Sequence, residues 1–322
     1  MYNPLHATMR AMSRIFVSSC LLVNTVQAQW ISVNDAEVCV AGTGIDLLDI
    51  EICGRAIRWG KGDLSAVSWA TLYSARGRAY IGRGEFQRAV ADLDAALRLN
   101  PLSANAYNSR GAVRHAQGEF ELAVEDYGRA IELFPNYAEA HRNRGRSYHF
   151  LSNLDRAVVD YGVATSLNPW DPEPVALRGM VHYQSGRYAR AAADFEHVER
   201  MGFPYKYLAL WRYLAAQRIQ RDAREVLSKA ASWLDSGEWP APLVAAYLDL
   251  EPAELAITAA RESPEATRAV RSSEANYYLG ELALLRGDRE RAVELFRASL
   301  AARATLSVEQ LMADAALQRL QK

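Results

Sequence analysis

Small, apolar and aromatic positions recur along this chain with a step of 34 residues between Ala70 and Tyr205. Gly77, Gly111, Gly145 and Gly179 keep that step, as do Ala89, Ala123, Ala157 and Ala191. So do the larger apolar residues Leu93, Tyr127, Tyr161 and Phe195, and Pro101, Pro135 and Pro169 close three of the four units. Each unit reads as a helix with a central glycine and a turn at Gly84, Gly118, Ser152 or Gly186. A second helix follows, entered through Phe86, Phe120, Leu154 or Tyr188, and then a stop. The small positions let two helices approach closely, and proline ends the second helix because it lacks a donor and clashes with the preceding turn. One helical hairpin has no core of its own, so a period of this length predicts an all-α solenoid of stacked antiparallel helix pairs.

Beyond Tyr205 the register is lost while helical spacing continues. Tyr207–Ala215 and Ala223–Leu234 read as one pair, Trp239, Pro240 and Pro242 break the chain, and Leu243–Leu250 and Ala253–Arg261 form a shorter pair. The glycine and aromatic pattern returns from Glu274, with Gly280, Gly287, Ala292 and Phe296, and Ser307–Leu320 reads as a capping helix. The organisation expected is therefore a leader over 1–28, a helical hairpin and connector over 29–69 and four repeats over 70–205. Irregular pairs over 206–272, a further repeat over 273–306 and a cap over 307–322 follow.

A charged ladder runs through the same units. Arg76, Arg110, Arg144 and Arg178 immediately precede the glycines, and Asp92, Asp126, Asp160 and Asp194 follow sixteen residues later. A pair present in every unit predicts a structural ion pair between helices, since a ligand site would not need it four times.

The repeat resembles the tetratricopeptide repeat (TPR) family: Tyr73, Gly77, Tyr80, Ala89, Ala96 and Pro101 fall on its signature positions in the first unit alone. The resemblance implies a superhelical array whose first helices line a concave groove with four positions per unit. Those positions are Thr71, Ser74, Arg78 and Ile81, then Asn105, Asn108, Ala112 and His115, then Glu139, Arg142, Arg146 and His149, then Glu173, Ala176, Met180 and Tyr183; of these, Arg78, Asn105, Asn108, His115, Glu139, Arg142, Arg146, His149 and Tyr183 are the candidate partner-binding residues. Arg142 and Arg146 stand one helical turn apart, where like charges repel unless something anionic meets them, and two guanidinium forks can grip a carboxylate. The bland alternative is a solvated basic face partly neutralised by Glu139.

The second half is similar to the NlpI-like family of bacterial cell-envelope TPR lipoproteins. The residues that carry this are Leu210-Trp211-x-Tyr213-Leu214-Ala215, Glu238-Trp239, Tyr247-Leu248 and Glu274-x-Asn276-Tyr277-Tyr278-Leu279-Gly280. The likeness implies a dimeric adaptor that brings a periplasmic C-terminal-processing protease together with peptidoglycan hydrolases. The alternative is an architectural part of an envelope secretion or polysaccharide-export assembly. In either case the partner is a protein or peptide.

Address and chemistry narrow the picture further. Arg10 and Arg14 precede an apolar run over Ile15–Val23 and the small-residue step Val26-Gln27-Ala28, the layout of a secretory leader, so a periplasmic or secreted location is expected. The run falls well short of the roughly 20 apolar residues of a membrane-spanning helix, so the mature form is expected to carry no transmembrane anchor. A rival reading takes Val17-Ser18-Ser19-Cys20 as a lipobox with Cys20 acylated, which would make an outer-membrane lipoprotein. In an oxidising compartment the remaining cysteines, Cys39 and Cys53, favour one disulfide across Gly42-Thr43-Gly44, and two buried thiols are the alternative. With 37 basic against 38 acidic side chains there is no electrostatic case for nucleic acid. His115, His141, His149 and His182 lack the neighbouring ligands of a metal site and read as groove or core histidines. No nucleophile elbow, zinc-protease helix or phosphate-cradling loop occurs, so no catalytic residue, metal or cofactor is expected and the chain reads as non-enzymatic.

Overall fold

The computed structural model describes residues 35–42, 44–59, 64–202, 207–232, 234–235, 238–304 and 306–321. The leader and lipobox readings over residues 1–28, and the connector residues 60–63, lie outside the described residues. Among those described there are seventeen helices and no strand. They divide into two compact units, one running to Gln117 and including Glu125–Pro135, the other comprising Gly118–Val124 and Asn136–Lys322.

The first unit opens with α1 (residues 35–41) and α2 (Asp46–Trp59), joined by the Cys39–Cys53 disulfide with a Cα–Cα distance of 4.9 Å. Both cysteines are buried, and with Ile52 and Ala56 they pack on Leu72 and Ala75 of α3 (Ala66–Gly82). The hairpin thus covers the first face of the array. Ser65 caps α3 by accepting from the Ser68 amide, which explains why this helix starts four residues before the repeat register at Ala70. α4 (Phe86–Leu99), α5 (Ala104–Ala116, capped by Ser103) and α6 (Phe120–Leu133) continue the repeats.

The second unit holds the third repeat, α7 (Ala138–Phe150) and α8 (Leu154–Leu167), and the fourth, α9 (Pro172–Gln184) and α10 (Tyr188–Arg200). Then come α11 (Leu208–Arg218), α12 (Arg224–Ala231), α13 (Ala241–Tyr247) and α14 (Ala253–Arg261). The late repeat is α15 (Glu265–Leu285) with α16 (Arg289–Ala301), and α17 (Val308–Leu320), capped by Ser307, ends the chain. α15 runs nine residues N-terminal to the point where the repeat pattern resumes, and most of that extension is exposed.

The periodic residues have a common job. A Cβ built on Gly179 would lie 2.7 Å from Cε1 of Phe195, and one on Gly280 2.6 Å from Cε1 of Phe296. The same close approach pairs Gly111 with Tyr127 and Gly145 with Tyr161, so the second helix of each pair rests its ring on the bare backbone of the first. The turns are left-handed at Gly84, Gly118, Gly186 and Gly287, and at the third repeat Ser152 holds the same conformation with φ 55°.

The charged ladder is present in all four repeats. Arg76 reaches both Asp92 oxygens at 2.7 Å, and Arg110 reaches Asp126 at 2.9 and 2.7 Å. Arg144 reaches Asp160 at 2.8 Å twice, and Arg178 reaches Asp194 at 3.0 and 2.6 Å. Each is a bidentate fork between the two helices of a repeat, the geometry that best offsets the desolvation of a half-buried pair. Arg110 also reaches back 2.7 Å to Asp94, tying its repeat to the one before. In the late repeat the ladder positions are Leu279 and Leu295, both buried, so the ion pair gives way to an apolar contact layer.

The irregular helices share one core with the fourth repeat and the late repeat. Trp211 of α11 is its centre, with the rings of Tyr183, Phe195, Tyr277 and Tyr278 at 5.5–5.9 Å. α17 packs on α15, α16 and α9, burying Met312, Ala313 and Ala316.

Candidate functional site

In the first unit the candidate residues separate by exposure. Arg78 and Asn105 face solvent, whereas Asn108 and His115 are buried. Arg78 makes no hydrogen bond or ion pair among the described residues.

In the second unit Glu139, Arg142 and Arg146 sit on successive turns of α7. Arg142 is already engaged: its Nη1 lies 3.2 Å from Asp171 Oδ2 and 2.7 Å from Glu173 Oε2 at the start of α9. That arginine therefore joins the third repeat to the fourth and does not stand free beside its neighbour as an anion grip. Arg146 is exposed and has no hydrogen bond or ion pair among the described residues.

His149 and Tyr183, expected in the groove, are internal. His149 is fully buried with Nε2 2.6 Å from Gln184 Oε1, and burial, aided by the Arg146 charge, lowers its pKa to about 4. The Tyr183 hydroxyl donates to Glu281 Oε2 at 2.6 Å, and Arg218 Nη2 donates to the same oxygen at 2.7 Å. Tyr183 is thus sealed in place by α11 and α15. His141 is a core residue, its Nδ1 3.1 Å from Asp160 Oδ1. No group of three His, Cys, Asp or Glu residues able to hold a metal occurs among the described residues, and no described helix is long and apolar enough to cross a membrane.

What remains open on this face is a cleft of about 370 Å³. Its walls are Arg146, Glu173, Ala176, Leu177 and Met180 from the third and fourth repeats, Val270 from α15, and Leu306–Glu309 at the start of α17. Ala176 and Met180 are groove positions, so the floor is apolar, with Arg146 at its edge. The buried Tyr161 hydroxyl, without a hydrogen-bond partner, feels the charges of Arg146 and Glu173, and burial raises its pKa.

One carboxyl, Glu309, stands on the far wall, and Glu274 of α15 lies outside the cleft lining. Glu274 of α15 accepts from the Tyr207 hydroxyl at 2.8 Å and from Trp239 Nε1 at 2.6 Å, and burial, reinforced by the Glu309 charge, pushes its pKa up to about 7. Glu309 accepts from the Ser307 hydroxyl at 2.9 Å, and burial raises its pKa too. The sequence reading missed Val270 and Leu306–Glu309. The one available signal was that Ala176 and Met180 are apolar at positions that face water in an open groove.

Residues 111–152 match the family described as TPR repeat, and residues 74–131 that described as tetratricopeptide repeat. Residues 74–152 carry tetratricopeptide repeats. A TPR protein from Parabacteroides merdae is similar over 90% of this chain and 98% of its own, at 16% identity and a TM-score of 0.53. That likeness extends the TPR fold through the irregular middle. MamA from Desulfovibrio magneticus is 22% identical over 54% of this chain and 94% of its own, with a TM-score of 0.47. The first TPR domain of Spaghetti, bound to an HSP90 peptide, is 20% identical over 38% and 97%, with a TM-score of 0.36. No curated protein matches the sequence.

Proposed function

We propose that this chain is a non-enzymatic scaffold of the bacterial periplasm that holds a segment of a partner protein in the cleft bordered by Arg146. The observation that carries the reading is an unpaired guanidinium at the edge of an apolar-floored cleft built from TPR groove positions. A cleft of this size with few convergent polar groups suits one or two side chains of an extended segment. The leader-like first residues and the buried Cys39–Cys53 disulfide support an oxidising compartment. The NlpI-like pattern in the second half supports an adaptor, working as a homodimer, that links a C-terminal-processing protease to peptidoglycan hydrolases.

The test is cross-linked capture of the tagged full chain from its own cell envelope, with Arg146→Glu run in parallel. Recovery of a protease or cell-wall hydrolase, lost in the variant at unchanged helical content, is the expected result. Equal capture by the variant would move the site elsewhere, and recovery of only a large export assembly, insensitive to Arg146, would favour the architectural role.

A further inference from the structure

The third repeat has another hollow, lined by none of the groove positions. It measures about 370 Å³ and is walled by Arg144, Tyr148, Asp155, Arg156, Val159 and Asp160 of α7 and α8. Two guanidinium groups lie over one ring there: that of Arg144 is 5.9 Å and that of Arg156 5.6 Å from the centre of Tyr148. Val159, one turn beyond Arg156 on α8, is 64% exposed, so apolar surface stands beside the second cation.

Charge within this hollow does not cancel. Arg144 is bound to Asp160 at 2.8 Å, and Asp155 is held by Arg187 at 2.6 Å. Arg156 has the ring alone: it makes no hydrogen bond or ion pair among the described residues. The first repeat shows what is different. Arg76 and Arg88 lie over Tyr80 at 5.9 and 5.8 Å in the equivalent positions, but Glu85 neutralises Arg88 at 2.7 Å. Two 34-residue steps after Glu85 stands Asn153, so the third repeat keeps the ring-held arginine and lacks its acid.

We propose that this hollow is a second binding site, for a partner segment carrying a carboxylate side chain next to an aliphatic one: Arg156 takes the carboxylate, and the aliphatic group covers Val159 and Tyr148. A guanidinium already placed over a ring loses little freedom on pairing, and covering Val159 removes apolar surface from water. One uncompensated cation suits a single carboxylate and not a nucleic-acid backbone, which binds through many cations at once. The site does not depend on the cleft at Arg146, since the two share no lining residue.

Methyl NMR of the full chain, titrated with a short blocked peptide in which glutamate follows leucine, tests this. The Val159 methyl signals are expected to shift, with half-saturation at a concentration ~5-fold lower than for the same peptide with glutamine in place of glutamate. Arg156→Glu is expected to reverse the preference, towards the peptide with lysine at that place. Asn153→Glu, which restores the acid of the first repeat, is expected to abolish the glutamate preference at unchanged helical content, and Arg146→Glu is expected to titrate as wild type does. Unmoved Val159 signals, equal affinity for the glutamate and glutamine peptides, or a glutamate preference that survives in Arg156→Glu would overturn the proposal. Failure of the Arg146 cleft as a partner site is seen separately, in its own capture experiment.

Discussion

His149 offers the sharpest test of how the interior of the second unit is organised. Its imidazole is fully buried against Gln184, and its pKa falls from 6.5 to about 4 because burial penalises the cation. A histidine depressed in the folded state stabilises the fold above its unfolded value, and that contribution drains away as pH drops towards the folded one. At about 1.4 kcal/mol per unit, going from neutral to about pH 5 removes ~2 kcal/mol. Glu274 acts in the opposite sense over the same interval: its pKa, raised from 4.5 to about 7, adds ~2 kcal/mol as pH falls from neutral to about 5. The two oppose one another, so a urea midpoint of the wild-type chain alone does not isolate either contribution. The measurement is therefore a difference, with wild type and His149→Gln unfolded side by side at both pH values. Wild type is expected to lose ~2 kcal/mol relative to the variant on acidification. A gap that changes by less than ~0.5 kcal/mol would show that the imidazole is hydrated or charged in the fold, and the burial argument would be wrong.

Gly179→Ala is expected to cost ~1–3 kcal/mol in urea unfolding, because its Cβ would stand 2.7 Å from the Phe195 ring. Adding Phe195→Leu, the residue the first repeat uses at Leu93, is expected to recover part of that loss, and no recovery would mean that the strain lies elsewhere. Asp194→Leu, which strands Arg178, is expected to cost ~2–3 kcal/mol, discounted from a fully buried pair because the Arg178 side chain is 23% exposed. The double replacement Arg178→Leu with Asp194→Leu is expected to return within ~1 kcal/mol of wild type, as the Leu279 and Leu295 layer suggests. Strict additivity of the two single losses would refute that.

The legible part of this molecule was the part written more than once. Gly145 alone says little, but Gly145 with Tyr161 sixteen residues on, echoed in the other repeats, fixes two helices and the face on which they meet. The ladder was legible for the same reason. Tyr183 and His149 were misplaced because the repeat places them correctly on the inner surface but cannot say that the surface is covered. Glu281, which takes the Tyr183 hydroxyl, comes 98 residues later, and His149 is closed off against Gln184 of the next repeat. Glu281 holds the same place in its repeat as Arg146 and Met180, and a carboxylate there, aimed at a tyrosine, was the faint sign that one groove position reads another.

The ladder also bears on how such a chain can change in length. Because Arg76, Arg110 and Arg144 each repeat the same inter-helix fork, one 34-residue unit could be duplicated or lost among the early repeats and every neighbour would still find its counterpart. The fourth repeat has no such freedom. Tyr183 is bonded to Glu281 across 98 positions of sequence, and Arg319 of the last helix donates to the Gln184 carbonyl, so that repeat has one fixed place relative to the chain's end. Copy-number variation among natural versions of this protein should therefore accumulate before Glu139 and leave everything from α9 onward constant in number.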